Sequence, residues 1–405
     1  MTSETRYCLV LSGGGAKGVY HLGVWRALRE LGIEVDALVG TSIGAIVAAF
    51  LAQGAEDLLE NIVRTMTLKS ILDLPPELVE NGELKWEALS LPVVKEVALA
   101  FLEKRGLDTS PMRRILEENL NEDLVRQRGK DLGFVTVNLS DLTPREVFLQ
   151  DIPPGKLVDY LMASAAFPGF EAAVIDGKRY VDGGLHDNIP YDVARARGYR
   201  QIIVSDASGV GRNRKMELEG SLTAYIRSSI RMGSVLEMNR QFLQEFQLLG
   251  YLDTLRTFGK LTGYSYFVEP DPQAERAFTP GQYSLPERMR HDRNGLLVSL
   301  ECAAHLLEVP RIRAYTYRTL VEAIGVKRDE EEVRIRHFLG AGHGGRRALA
   351  ALVRREVTAK SFQGCSYYTW RLLEELFPGK AGHLLRRTLE SSTPEFPAGL
   401  AYLKR

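Results

Sequence analysis

The sequence predicts an α/β fold with a parallel sheet carrying helices on its faces, followed by a C-terminal helical extension. Three observations predict it. The first fifty residues read strand, helix, strand, helix, and each strand runs into a glycine-rich turn. Strand signals recur as far as Val204. Beyond about residue 210 they mostly stop, and long charged helical patterns take over.

The elements follow in order. Tyr7 to Leu11 is a short apolar run ending at Ser12-Gly13-Gly14-Gly15, which reads as a buried strand and a tight loop. From Lys17 to Leu31 apolar residues recur at Val19, Leu22, Trp25, Leu28 and Leu31, a helical spacing that Gly32 stops. Val35 to Val39 reads as a second strand and Ile43 to Leu51 as a second helix. Residues 55–128 are mostly helical by pattern, interrupted at Pro75-Pro76 and at 90–92. Strands are expected at 132–138 and 145–149, a helix at 155–165, and a hairpin of 172–175 with 178–181 about Asp176-Gly177. Ile202 to Val204 is the last expected strand. This divides the chain into a catalytic domain at 1–210 and a helical extension at 211–405, with a Pro-rich stretch at 270–286 as a second break.

Composition narrows the function. In 405 residues, 45% are hydrophobic and 26% charged, the balance of an ordinary globular chain. Lys plus Arg and Asp plus Glu are 52 each, which disfavours a nucleic-acid binder. The zero hides an asymmetry. Residues 1–270 carry 30 basic and 36 acidic side chains (−6), and 271–405 carry 22 and 16 (+6). The basic tail either favours an anionic surface or forms solvated helix faces. Cys8, Cys302 and Cys365 form no CxxC pair, which suits a reducing compartment. No segment reads as a signal peptide or a membrane span, so a cytoplasmic protein is expected, with peripheral membrane contact left open.

Two glycine motifs compete. Gly13-Gly14-Gly15-Ala16-Lys17-Gly18 fits G-x-G-x-x-G after a strand, with Asp36 downstream, as a dinucleotide-binding fingerprint would have it. The acid is misplaced for that role, because Asp36 opens the second strand instead of ending it. The far end of that strand carries Gly40-Thr41-Ser42-Ile43-Gly44. This is G-x-S-x-G between a strand and a helix, the setting of a nucleophile elbow. Both turns belong at the carboxyl ends of neighbouring parallel strands, so the amides of the first loop should line the crevice beside Ser42 as an oxyanion hole.

A serine nucleophile needs a base. His21 lies within the first helix, away from its start, and the C-terminal histidines sit in no motif. Asp182, at a strand end before Gly183 and Gly184, is the better candidate. An aspartate near its ordinary pKa of ~3.9 is a weak base, so the oxyanion hole must share the work. Asp-Gly-Gly also reads as an ordinary turn.

These residues resemble the patatin-like phospholipase family. The family pattern is G-G-G-x-[KR]-G, then G-x-S-x-G, then D-G-[GA]. Here it reads Gly13 to Gly18, Gly40 to Gly44, and Asp182 to Gly184. Ala163 to Gly169 and Asp187-Asn188-Ile189-Pro190 match the flanking segments, and the residue at His186 varies in the family. The resemblance covers about residues 6–207 with no departure at the catalytic positions.

It implies a three-layer α/β/α sandwich and a lipid acyl hydrolase that needs no calcium or other cofactor. Ser42 would be the nucleophile, Asp182 the base, and the amides of Gly13, Gly14, Gly15 and Ala16 the oxyanion hole. The expected substrate is a phospholipid or lysophospholipid ester, and oligomeric state is open. The same machinery suits a carboxylesterase, thioesterase or acyltransferase. A lipid-responsive scaffold of low activity is the reading from another class.

Three further segments stand out. Residues 91–102 are apolar enough to line an acyl channel or form a lid, or to pack as a core helix. Gly250 to Asp253, with Arg256, resembles a segment that follows the catalytic core in bacterial members. Gly340 to Arg347 offers amides and arginines to a phosphate, or is an interhelical loop.

Overall fold

The computed structural model describes residues 6–73, 79–80, 83–84, 106–277, 295–340, 351, 366–377, 379, 383 and 396–403. Residues 91–102 and 341–347, two of the segments singled out above, lie outside them. The chain forms two compact units, Met1–Thr257 and Phe258–Arg405.

The first unit is built on one eight-stranded sheet. Strand β1 (Tyr7–Leu11) leads through a 3-10 turn (Gly15–Gly18) into α1 (Val19–Glu30), and β2 (Val35–Thr41) leads into α2 (Ile43–Gln53). Helix α3 (Glu56–Thr65) and a small antiparallel pair, β3 (Val79–Glu80) and β4 (Glu83–Leu84), follow. Next come α4 (Ser110–Asn119), α5 (Glu122–Arg128), β5 (Asp131–Asn138), β6 (Thr143–Phe148) and α6 (Leu157–Ser164). The unit ends with β7 (Ala173–Ile175), β8 (Lys178–Asp182), α7 (Tyr191–Ala196), β9 (Gln201–Asp206), β10 (Leu222–Arg227) and α8 (Arg240–Thr257).

The strand order is β10-β9-β1-β2-β5-β8-β7, with β6 on the other edge of β5. The pairs from β10 to β5 are parallel, and those of β5 with β6, β5 with β8, and β7 with β8 are antiparallel. The sheet is mostly parallel, as expected. Cys8 and Val10 of β1, Ala37 and Val39 of β2, and Ile202 and Val204 of β9 bury one face against Tyr191, Val193 and Ala194 of α7. Helix α2 packs along β2, β1 and β5, and α1 packs on α8. With both faces covered, Cys8 to Leu11 of β1 are all buried, whichever face they point to. The strand therefore reads as one apolar run without polar alternation.

Two expectations need correction. The sheet does not end at β9, because β10 adds a parallel edge strand at 222–227. Its residues are mostly exposed or half-buried, and only Ile226 is fully buried, so it lacks the apolar run that marks the inner strands. The expected boundary at 210 falls inside the first unit for the same reason. Strand β10 and helix α8 complete the sheet and the cover of α1.

The α8 segment accounts for Gly250 to Asp253. A Cβ on Gly250 would overlap the carbonyl of Tyr20, so the glycine sets how closely α8 lies on α1. Asp253, 2% exposed, accepts from the Tyr20 hydroxyl at 3.0 Å and the Ser229 amide at 3.1 Å, and pairs with Arg256 at 2.7 Å.

The second unit is mostly helical among the described residues. It holds β11 (Phe267–Val268) parallel to β12 (Ala314–Tyr315), with α9 (Pro272–Ala277), α10 (Gly295–Leu306), α11 (Tyr317–Gly340), α12 (Tyr367–Leu376) and α13 (Phe396–Leu403). Leu300 of α10, Leu320 of α11, Trp370 and Leu372 of α12 and Leu400 of α13 share its core. The buried Glu301 carboxylate accepts from the amides of Tyr264, Ser265 and Tyr266.

Candidate active site

The register of β5 brings the two key side chains together. On one edge, β5 pairs with β2 as far as Val135 opposite Thr41. From Thr136, opposite Asp182, it pairs with β8. The ends of β2 and β8 therefore abut, and Ser42 follows directly on Thr41. Its Oγ donates to Asp182 Oδ2 at 2.6 Å.

Ser42 sits in the sharp turn between β2 and α2 with φ 57° and ψ −128°, a conformation that costs a side-chain-bearing residue on the order of 1–3 kcal/mol. The turn is tight enough that a Cβ on Gly40 would overlap the Gly44 carbonyl, and one on Gly44 the Leu11 carbonyl. Surrounding bonds hold it. The Ser42 amide donates to Ser164 Oγ at 3.0 Å, and that hydroxyl donates to the Val135 carbonyl at 2.7 Å. Thr41 Oγ1 donates to the Asp187 carbonyl at 2.9 Å. Ile43 opens α2 and packs over Gly18. Ser164 was visible in the sequence only as part of a matching segment. Its bridging role depends on α6 ending beside β5.

Asp182 is 3% exposed. Its Oδ1 accepts from the Gly184 amide at 2.7 Å, and its own amide donates to the Ala166 carbonyl at 2.9 Å. A Cβ on Gly183 would overlap the Val135 carbonyl, which explains the small residue after the aspartate. Burial raises the Asp182 carboxyl to about 6, against the pull of the Ser42 and Gly184 hydrogen bonds. The weak base expected from an ordinary aspartate is thus a stronger one in place.

The glycine loop divides. The Gly13 amide donates to the Asn188 carbonyl at 3.0 Å and the Ala16 amide to the Val235 carbonyl at 2.8 Å. Those two amides are engaged, which corrects the expectation that all four face the crevice. Among the described residues no hydrogen-bond acceptor stands opposite the amides of Gly14 and Gly15, and both residues line the cavity that holds Ser42 and Asp182. Gly15 has φ +56°, and a Cβ there would overlap the Val235 carbonyl.

His21 lies under this loop, fully buried between Ser205 Oγ (2.7 Å from Nδ1) and the Ser12 carbonyl (2.9 Å from Nε2). Burial lowers it to about 4, so it is neutral, and both ring nitrogens are occupied. Asp36 accepts from the Tyr7 amide at the start of β1, the edge of the sheet opposite the glycine loop, which disposes of a ribose contact. His186 is half-buried beside Glu146 and Arg214.

The cavity is apolar beyond this end. It runs past Ile46, Val47 and Phe50 of α2, Leu59 and Val63 of α3, and Met112, Ile115 and Leu116 of α4. Val235, Leu236 and Leu243, beyond the expected domain end, close another side. No sequence signal tied α3 and α4 to the site, because an apolar helix face reads alike against a core and a channel.

The sequence model described as "Patatin-like phospholipase" matches residues 9–195. Patatin-like phospholipase domain-containing protein ZK370.4 of Caenorhabditis elegans is 29% identical over 210 residues, 50% of this chain and 14% of that protein. Patatin-like phospholipase domain-containing protein 7 of Rattus norvegicus is 30% identical over 214 residues, 49% of this chain and 13% of its own length. The uncharacterized NTE family protein Mb1092c of Mycobacterium bovis is 29% identical over 191 residues, 47% of this chain and 45% of that protein. The match thus takes in less than half of each relative. Among solved structures, VipD from Legionella pneumophila has a TM-score of 0.36 at 14% identity, covering 98% of this chain and 90% of that one, a likeness too low to bear on function. These matches place residues 9–195, just under half of the chain, with the patatin-like phospholipase family.

Proposed function

We propose that the chain is a lipid acyl hydrolase that cleaves fatty-acyl esters of phospholipids or lysophospholipids through a Ser42–Asp182 dyad. The observation that carries the reading is the 2.6 Å bond between Ser42 Oγ and a buried carboxylate at the polar end of an apolar cavity. Ionised Asp182 takes the Ser42 proton as Oγ attacks the ester carbonyl. The Gly14 and Gly15 amides hold the oxyanion, and the α2 N-terminus favours the developing negative charge. Protonated Asp182 returns its proton to the alkoxide leaving group. Water, activated by the same carboxylate, then releases the fatty acid from Ser42. The apolar lining suits a single acyl chain, with the headgroup outside it.

Fluorophosphonate labelling of wild type, Ser42→Ala and Asp182→Asn tests this, with fatty-acid release from mixed phospholipid vesicles alongside. Labelling absent in Ser42→Ala and release absent in both variants is the expected result. A folded wild type that neither labels nor releases fatty acid removes the proposal. The steps draw on no metal, so EDTA should leave turnover unchanged.

A further inference from the structure

Asn188 carries an unsatisfied buried donor, Nδ2, on a side-chain amide whose Oδ1 lies beside the dyad. The residue is 1% exposed, its Nδ2 is buried with no hydrogen-bond partner, and it lines the same cavity as Ser42 and Asp182. A buried donor left unpaired costs about 1–3 kcal/mol, so such groups are rare without a reason.

Its surroundings are built to admit it. Its backbone is tied on both sides, with the amide donating to the Arg212 carbonyl at 2.8 Å and the carbonyl accepting from Gly13. Three glycines from separate parts of the chain clear space for the side-chain amide. A Cβ on Gly184 would stand 3.2 Å from Asn188 Oδ1 and one on Gly211 2.6 Å away, and one on Gly13 would overlap it. The same Gly13 position is 3.3 Å from Ser42 Cβ, and the Gly184 position 3.0 Å from Asp182 Oδ1. The Oδ1 end of the amide therefore lies between the glycine loop and the Asp182 turn, close to both members of the dyad.

We infer that the Asn188 side-chain amide is a third donor to the tetrahedral oxyanion, acting with the Gly14 and Gly15 amides. The inference rests on the acyl-hydrolase reading above. Amide oxygen and nitrogen are nearly the same size, so a half-turn of the amide brings Nδ2 to the place of Oδ1, facing the oxyanion, when an acyl group occupies the cavity. Such bonds often form only once the reacting oxygen is present. The donor then does in the transition state what it cannot do in the empty site, and this difference is what accelerates a reaction.

The test compares wild type with Asn188→Ala, which removes the donor, and Asn188→Asp, which keeps the shape. The readouts are kcat and KM on a p-nitrophenyl acyl ester, inhibition by a long-chain alkyl trifluoromethyl ketone, and thermal melting. The ketone forms a tetrahedral adduct with its own oxyanion. Loss of one such donor typically lowers kcat by about 10²–10³. We expect that loss in both variants with KM little changed, weaker ketone binding by a similar factor, and an unchanged melting temperature in Asn188→Ala. A merely structural asparagine would instead lower the melting temperature and raise KM. Either that pattern or variants within about threefold of wild-type kcat would overturn the inference while leaving the dyad standing. An inactive wild type would remove the reading beneath it.

Discussion

Replacing Asp182 with Asn should make the protein more stable at neutral pH while disabling it. The buried carboxyl is raised from 3.8 to about 6, with burial as the main cause. A group whose folded pKa lies above its unfolded value binds its proton more tightly in the folded state. Its contribution is fully present below pH ~3.8, and it is lost as pH rises through about 6. The shift is about 2 pH units, so ionising Asp182 costs on the order of 3 kcal/mol of stability above pH 7. Asparagine mimics the neutral carboxyl, keeps the acceptor for the Gly184 amide and still hydrogen-bonds Ser42. Asp182→Asn should therefore melt several degrees above wild type at pH 7–8, at about 2–4 °C per kcal/mol, and level with it near pH 4. Turnover should fall by about 10²–10⁴, the usual worth of a general base. In wild type, kcat/KM should drop roughly tenfold per pH unit below about 6. Melting curves from pH 4 to 8 and a pH–rate profile check both. A variant less stable than wild type at pH 8, or a stability gap that does not change with pH, would refute the argument.

Three other outcomes follow from the packing. The cavity follows α2 from Ser42 to Phe50, eight residues or about 12 Å at ~1.5 Å per residue. Phe50→Ala should lengthen it and shift preference toward longer chains in an ester series from butyrate to palmitate, and an unmoved optimum would place the channel elsewhere. Gly40→Ala puts a methyl into the backbone of Gly44, so the protein should fail to accumulate in folded form, and a melting temperature within a few degrees of wild type would disprove that fit. Asp253→Ala removes the acceptor shared by Tyr20, Ser229 and Arg256 and should cost about 3 kcal/mol. Helix α8 also carries Leu243 into the cavity wall, so fluorophosphonate labelling should slow, and unaffected labelling would separate the helix from the site.

The residues before and after Ser42 and Asp182 needed no tertiary information to be read. A strand running into small residues and then a helix dictates a sharp turn, and Gly40, Ser42 and Gly44 carry that requirement locally. The hairpin about Asp176-Gly177 was legible for the same reason. Both residues adopt positive φ, 48° and 73°, which an Asp-Gly pair accommodates. The edge strand β10 was not legible, because a half-exposed strand lacks the apolar run that burial on two faces imposes on β1 and β9.

The sequence by itself determined the candidate nucleophile, the candidate base and the α/β class, since each depends on neighbours in the chain. Tertiary structure decided their meeting. Ser42 and Asp182 lie 140 residues apart, and only the register of β5, with β2 and β8 end to end along one edge, sets them 2.6 Å from each other. It also raised the Asp182 carboxyl, by burying it, and chose which loop amides stay free, by placing the Asn188 and Val235 carbonyls opposite Gly13 and Ala16. Burial and hydrogen-bond partnership are properties of what surrounds a group. Those surroundings come from segments that no local pattern connects.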